Sequence, residues 1–271
     1  MKTAMWLVVL LVLGGIAAGY YYYWQMGAEQ AAPPPPAAAP PPPAPEVEKP
    51  VVHHPIENAQ PPEDEMIKLP PLSQSDDAMR DTLIGFFGKK EVEEFFNLNS
   101  IVRRFVVTVD NLPRNKVPMK YRLFKAVAGK IHTSGADDNL SLSPENYRRY
   151  TPYVLLADAV DLDKLAAIYV HLYPLFQEEY EKLGYPKGYF NDRLVEAIDD
   201  MLATPDVPAQ IKLIRPNVLY QFADPDLEAL SAGQKILVRM GPENAARIKA
   251  KLRVLRREVT GQPLPTPAGP G

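Results

Sequence analysis

The chain reads as mainly α: a single N-terminal transmembrane helix, a Pro-rich disordered linker, and one compact multi-helix domain with a small β-hairpin. Three observations carry this reading. Ala4 to Trp24 holds no charged residue, 15 of the 30 prolines fall between Pro33 and Pro71, and from about Leu69 to Val259 apolar residues recur three and four apart, which is the helix period. The bounds that follow are 1–26 for the anchor, 27–68 for the linker, 69–259 for the globular helical domain and 260–271 for a disordered tail.

As a helix, the uncharged stretch is long enough to cross a hydrocarbon core of about 30 Å. Lys2 and the amino terminus precede it and the next base is Lys49, so the positive-inside rule puts the N-terminus in the cytoplasm. Tyr20-Tyr21-Tyr22-Tyr23-Trp24 then forms an aromatic belt at the outer interface. A cleavable signal peptide is the competing reading, because Met5 to Leu13 has the length of an h-region and Ala17-Ala18-Gly19 offers small residues to a peptidase. Gly15 and Gly19 stand four apart and would let a second helix approach closely, which points to a homodimer through the anchor. The first expected partner is the bilayer itself.

The linker has almost nothing with which to build a core. As polyproline II it would hold the domain up to roughly 90 Å from the membrane, and its acids favour solvation over docking. His53-His54 alone lacks the further ligands that a closed metal site needs.

Within the domain, Ser75 reads as the cap of a helix with Met79, Leu83, Phe86 and Phe87 on its buried side, stopped at Gly88. A short turn over Glu91 to Phe96 follows. The next helix runs from near Leu98 to Leu112 and stops at Pro113. Residues 113 to 142 have no helical period, and Lys130 to Thr133 pairs with Asn139 to Leu142 across a turn containing Gly135. Ser143-Pro144-Glu145 restarts helix, with Ser143 as cap.

The longest stripe runs from Asp161 to Leu183 and carries Pro174 inside it. Another helix starts at Asn191 or Asp192 and continues through Leu202, and a short strand covers Ile211 to Ile214. Asp224-Pro225 and Ser231 open two short helices. The last helix, Pro242 to Val259, buries Ala245, Ile248, Leu252, Leu255 and Val259 and turns its bases, Arg256 among them, elsewhere.

The chemistry is read mainly by exclusion. There is no Cys, no Gly-x-Ser-x-Gly elbow, no phosphate loop and no His-Glu-x-x-His pair, so no cofactor or metal is expected. A carboxylate pair for glycan hydrolysis is the remaining catalytic option, with Glu178, Glu179 and Asp192 as candidates. Charge is patterned: residues 103–130 hold eight bases and only Asp110, whereas Asp158 to Asp206 is strongly acidic. The simple reading is that the two faces neutralise each other. The functional one is a basic surface for phospholipid headgroups or an acidic polymer. Nucleic acid is not an expected partner outside the cytoplasm.

Tyr185-Pro186-Lys187-Gly188-Tyr189-Phe190-Asn191-Asp192-Arg193, Phe222-Ala223-Asp224-Pro225, Leu230 to Lys235, and Arg239-Met240-Gly241-Pro242-Glu243-Asn244 together resemble an uncharacterised bacterial family, domain of unknown function 3014. Leu69-Pro70-Pro71-Leu72 and Phe105 to Pro113 extend the resemblance over nearly the whole domain. It implies a single-pass protein of the Gram-negative inner membrane with its domain in the periplasm, and it implies no activity. Any shared surface would use Tyr185, Tyr189, Asn191, Asp192, Arg193, Asp224, Gln234, Lys235, Arg239 and Asn244. The alternative for these residues is capping and loop anchoring. Two functions are therefore expected in order: a periplasmic interaction or scaffold module that binds an envelope protein or cell-wall polymer, then an envelope glycan binder or carboxylate-based cell-wall hydrolase.

Overall fold

Amphipathic spacing becomes helix almost everywhere the chain is described. In the computed structural model the described residues are 51–56, 69–136, 139–207 and 210–261. The chain divides into two units, Met1–Glu48 and Lys49–Gly271, and every described residue belongs to the second. The anchor, its aromatic belt, Gly15 and Gly19, most of the linker and the tail after Gly261 lie outside the described residues. Among the described residues no helix is long and apolar enough to cross a membrane.

The order is α1 (Ser75–Phe87), α2 (Lys89–Phe95), α3 (Ile101–Asn111), β1 (Thr133–Ser134), β2 (Ser141–Leu142), α4 (Glu145–Arg148), α5 (Thr151–Asp158), α6 (Leu162–Lys182), α7 (Phe190–Leu202), β3 (Leu213–Ile214), β4 (Gln221–Phe222), α8 (Pro225–Ala229), α9 (Ala232–Met240) and α10 (Pro242–Thr260). The expected hairpin is present as β1 and β2, antiparallel with Thr133 opposite Leu142. A second hairpin pairs Leu213 with Phe222; only its first strand had a sequence signal, because Gln221-Phe222 is too short to show alternation.

Asp161 accepts a hydrogen bond from the Lys164 amide and so caps α6, which runs on through Pro174. Its buried side, Tyr169, Leu172, Phe176 and Tyr180, meets Ile101, Val102 and Val106 of α3, Phe190, Leu194 and Ile198 of α7, and Val259 of α10. This is the main core. Smaller clusters sit beneath the hairpins, around Ile211, Leu213 and Phe222, and between α5 and α9, around Val154 and Leu237.

Two local expectations are corrected, and one cap is found where none was expected. Ser75 is the first residue of α1 and is buried, with its hydroxyl donating to the Leu72 carbonyl, so it is not the cap. The acid beside it caps a different helix: Asp76 accepts from the amides of Ser100 (2.6 Å) and Ile101 (2.7 Å), holding the start of α3 with Ser100 at φ 51°. Finally, Arg256 is buried in α10, where its guanidinium forms a two-point bond with Asp199 at 2.6 and 3.0 Å. An apolar stripe cannot reveal an arginine that is buried because a partner helix supplies its carboxylate.

Candidate functional site

The first two amides of α7 are satisfied from α6. Gln177 Oε1 accepts from the Phe190 amide at 2.8 Å and the Tyr173 hydroxyl from the Asn191 amide at 3.4 Å. The same Gln177 donates to the Gly188 carbonyl at 2.8 Å. Gly188 is required by space: a Cβ there would stand 2.8 Å from the Tyr180 ring and 3.0 Å from Tyr185 Cβ. With its amides already capped, the first turn of α7 has side chains free for other bonds, and a carboxylate placed there is favoured by the helix dipole.

Those side chains hold a segment of the linker. The strap, residues 51–56, lies on the domain in irregular conformation. Asp192 accepts from two successive strap amides, His53 to Oδ2 at 3.0 Å and His54 to Oδ1 at 2.7 Å. Asn191 Nδ2 donates to the His54 carbonyl at 2.9 Å, and the Tyr189 hydroxyl accepts from the Ile56 amide at 3.0 Å. Ile56 then packs against the main core. All four hydrogen bonds go to strap main chain, so the site grips a bent segment chiefly through its backbone, with the His54 and Ile56 side chains half-buried against the domain.

Asn191 is fully buried and ties this grip to the core. Its Nδ2 also donates to the Val259 carbonyl at 3.0 Å, and its Oδ1 accepts from the Tyr169 hydroxyl at 3.0 Å. Burial pushes the Tyr169 and Tyr173 phenols well above their ordinary range, so both stay protonated as donors. Arg193 and Tyr185 brace the site from the other side. Both Arg193 and Arg114 reach buried Asp110 at 3.0 Å, and Arg114 donates to the Tyr185 hydroxyl at 2.7 Å. Tyr185 in turn stacks on Tyr180, with ring centroids 4.6 Å apart.

Beside the strap a groove of about 780 Å³ opens along α7. Asp192, Glu196, Asp199 and Asp200, on one helix face by their spacing, line it together with Lys187 and Arg193. Every acid on that wall is engaged: Glu196 with Arg193 at 2.6 Å, Asp199 with Arg256, and Asp200 with the Ser231 hydroxyl at 2.6 Å.

The sequence-derived residues thus divide in two. Tyr185, Tyr189, Asn191, Asp192 and Arg193 converge on the strap and its brace. The others knit the far end of the domain. Asp224 caps α8, Gln234 completes a capping box with Ser231 on α9, and Lys235 pairs with Glu228 at 3.1 Å. Arg239 lies over the Phe222 ring at 5.3 Å, and Asn244 donates to the carbonyls of Tyr147 and Met240.

The candidate carboxylates separate as well. Glu178 is solvated beside Lys182 at 2.6 Å, while Glu179 is buried and 3.2 Å from Arg103. Burial raises the Glu179 carboxyl above its usual value despite the opposing pull of Arg103. Among the described residues, two ion pairs join the two runs: Arg103 of the basic run to Glu179 of the acidic one and, with the charges reversed, Arg193 to Asp110. Other acids of that run are met locally, Asp161 by Lys164, Glu178 by Lys182 and Glu196 by Arg193, or from α10, by Arg247 on Asp158 and Arg256 on Asp199. Sequence reading missed the strap, whose faint signal was Ile56 following His53-His54-Pro55, and missed Gln177 and Asp110, polar residues inside apolar stripes.

The profile of a family described as "Protein of unknown function (DUF3014)" matches residues 101–256. No curated protein and no solved structure matches the chain. The match takes in Tyr189, Asn191 and Asp192 but not the strap they hold. With more than half of its length matched, the chain belongs to the DUF3014 family.

Proposed function

We propose that the chain is an interaction or scaffold module, tethered to the bacterial inner membrane by residues 1–26 with its domain in the periplasm, and that it docks short peptide segments through their main chain at the start of α7. The observation that carries this is the strap. Asp192, Asn191 and Tyr189 bind a stretch of polypeptide through its main chain, in the way a peptide site must if it is to accept more than one sequence. The strap is then the resident occupant, and an envelope protein offering a segment of similar bent backbone is the partner.

Binding is favoured over the glycan-hydrolase alternative by the state of the carboxylates. Asp192 spends both oxygens on strap amides, Glu179 faces Arg103 in the interior, and the groove acids are paired. A hydrolase needs two carboxyls free on either side of one bond.

The test uses a labelled peptide of residues 49–57 and the detergent-solubilised full chain carrying His53→Pro and His54→Pro, which removes the two strap amides that donate to Asp192. Saturable binding that vanishes when Asp192→Ala is added supports the reading. No binding, or binding indifferent to Asp192, contradicts it.

A further inference from the structure

Residues 111–136 contain six Lys or Arg and no Asp or Glu. Between α3 and β1 this stretch is irregular apart from a 3-10 turn at Met119–Tyr121 and a single antiparallel bridge that seats Phe124 on Phe96, leaving Met119 as the freer apolar side chain. Two arginines of the helical body hold it by its carbonyls. Arg104 donates to Lys120 O at 2.6 Å and Arg122 O at 3.1 Å, and Arg149 donates to the carbonyls of Val127, Ala128 and Gly129 at 2.9 to 3.3 Å. A guanidinium that binds carbonyls keeps its charge, so the fastening adds cations to a segment already basic.

Arg103 and Lys120 both sit over the Tyr121 ring, at 5.0 and 5.3 Å. Lys120 and then Arg103 lower the Tyr121 phenol below its usual value, the response expected in a positive field. Glu179 offsets part of the Arg103 charge. Lys120, Arg122 and Lys125 are exposed.

Apolar side chains stand among these bases. Met119 is 78% exposed and Phe124 is 41% exposed. A soluble polyanion would use the cations and leave Met119 in water. An anionic bilayer uses both, with phosphates meeting the bases and the apolar side chains reaching the acyl boundary. We propose that the loop over residues 116–125 is a membrane-contact surface for anionic phospholipid headgroups, with Met119 as its inserting tip. This inference is independent of the α7 site.

The chain has no native Cys, so Met119→Cys gives a unique position for an environment-sensitive fluorophore in the full-length protein. The control is Val218→Cys, equally exposed at 78% on another loop. The labelled chains are reconstituted into vesicles of phosphatidylcholine, with or without phosphatidylglycerol. A blue shift is expected at position 119 only when phosphatidylglycerol is present, reversed by high salt through screening. Lys120→Glu with Arg122→Glu should reduce the shifted population on the order of tenfold. Any of four results overturns the proposal: no shift at 119, the same shift in neutral vesicles, an equal shift at 218, or a shift produced by soluble polyphosphate without anionic lipid, which would assign the loop to a polymer.

Discussion

Asn191 and Asp192 are neighbours with opposite duties. Asn191 is fully buried and spends its amide on Tyr169, Val259 and the strap, so it links the hydrophobic core to the surface grip. Asp192, one residue on, points at the strap alone. Glu179 shows how a single group ties packing to pH. Its carboxyl pKa is raised by burial, so the folded state holds a proton that the unfolded chain, at about 4.3, has already released. Stability from this group is full below that value and is lost as pH rises through the raised one. Glu179→Gln should therefore flatten the acid end of the stability profile, as urea midpoints taken across that window for both proteins will show. Identical profiles would mean that Arg103 fully compensates the burial. The Asn191-Asp192 pair was singled out in the sequence through the family resemblance; the burial of Glu179 was not legible, because adjacent acids on a helix look alike until one of them meets the core.

At the scale of elements, caps were the most readable feature and also the most misleading. Asp161, Asp224 and Ser231 cap the helices they precede, because a short polar side chain before an apolar period leaves the first amides few other partners. The α6 bounds were read within a residue at each end, since a long stripe with a capping Asp fixes both phase and start. Ser75 failed because a hydroxyl can bond backward to a carbonyl as easily as forward to an amide. The start of α7 was read within a residue, but not what caps it, since its amides are met by Tyr173 and Gln177 from another helix, which no local pattern records. The α9 capping box joins element to element, because Ser231 also donates to Asp200 of α7. Ser231→Ala should destabilise the domain by about 1 kcal/mol or slightly more, read as a lower thermal midpoint with unchanged helix content at low temperature. No change would show that water replaces the cap.

For the whole molecule, the strap changes what the linker means. Under the proposed tether, a docked strap would cut the stretch that polyproline II geometry could extend from residues 32–62, roughly 90 Å, to residues 32–50, about 60 Å. Occupancy of the α7 site by another segment would then free the strap and lengthen the tether, coupling partner binding to reach. None of this was legible in a Pro-rich tract, because the strap is held through main-chain groups, which carry no sequence signature. The measurement that tests the docking claim most directly is amide hydrogen exchange at His53, His54 and Ile56 in the full-length chain. Protection at all three amides is predicted, falling about 30-fold at His53 and His54 in Asp192→Ala, as expected for the loss of roughly 2 kcal/mol of charge-assisted hydrogen bonding. Exchange at the rate of an unstructured peptide in the wild type, or protection unchanged by Asp192→Ala, would contradict the account.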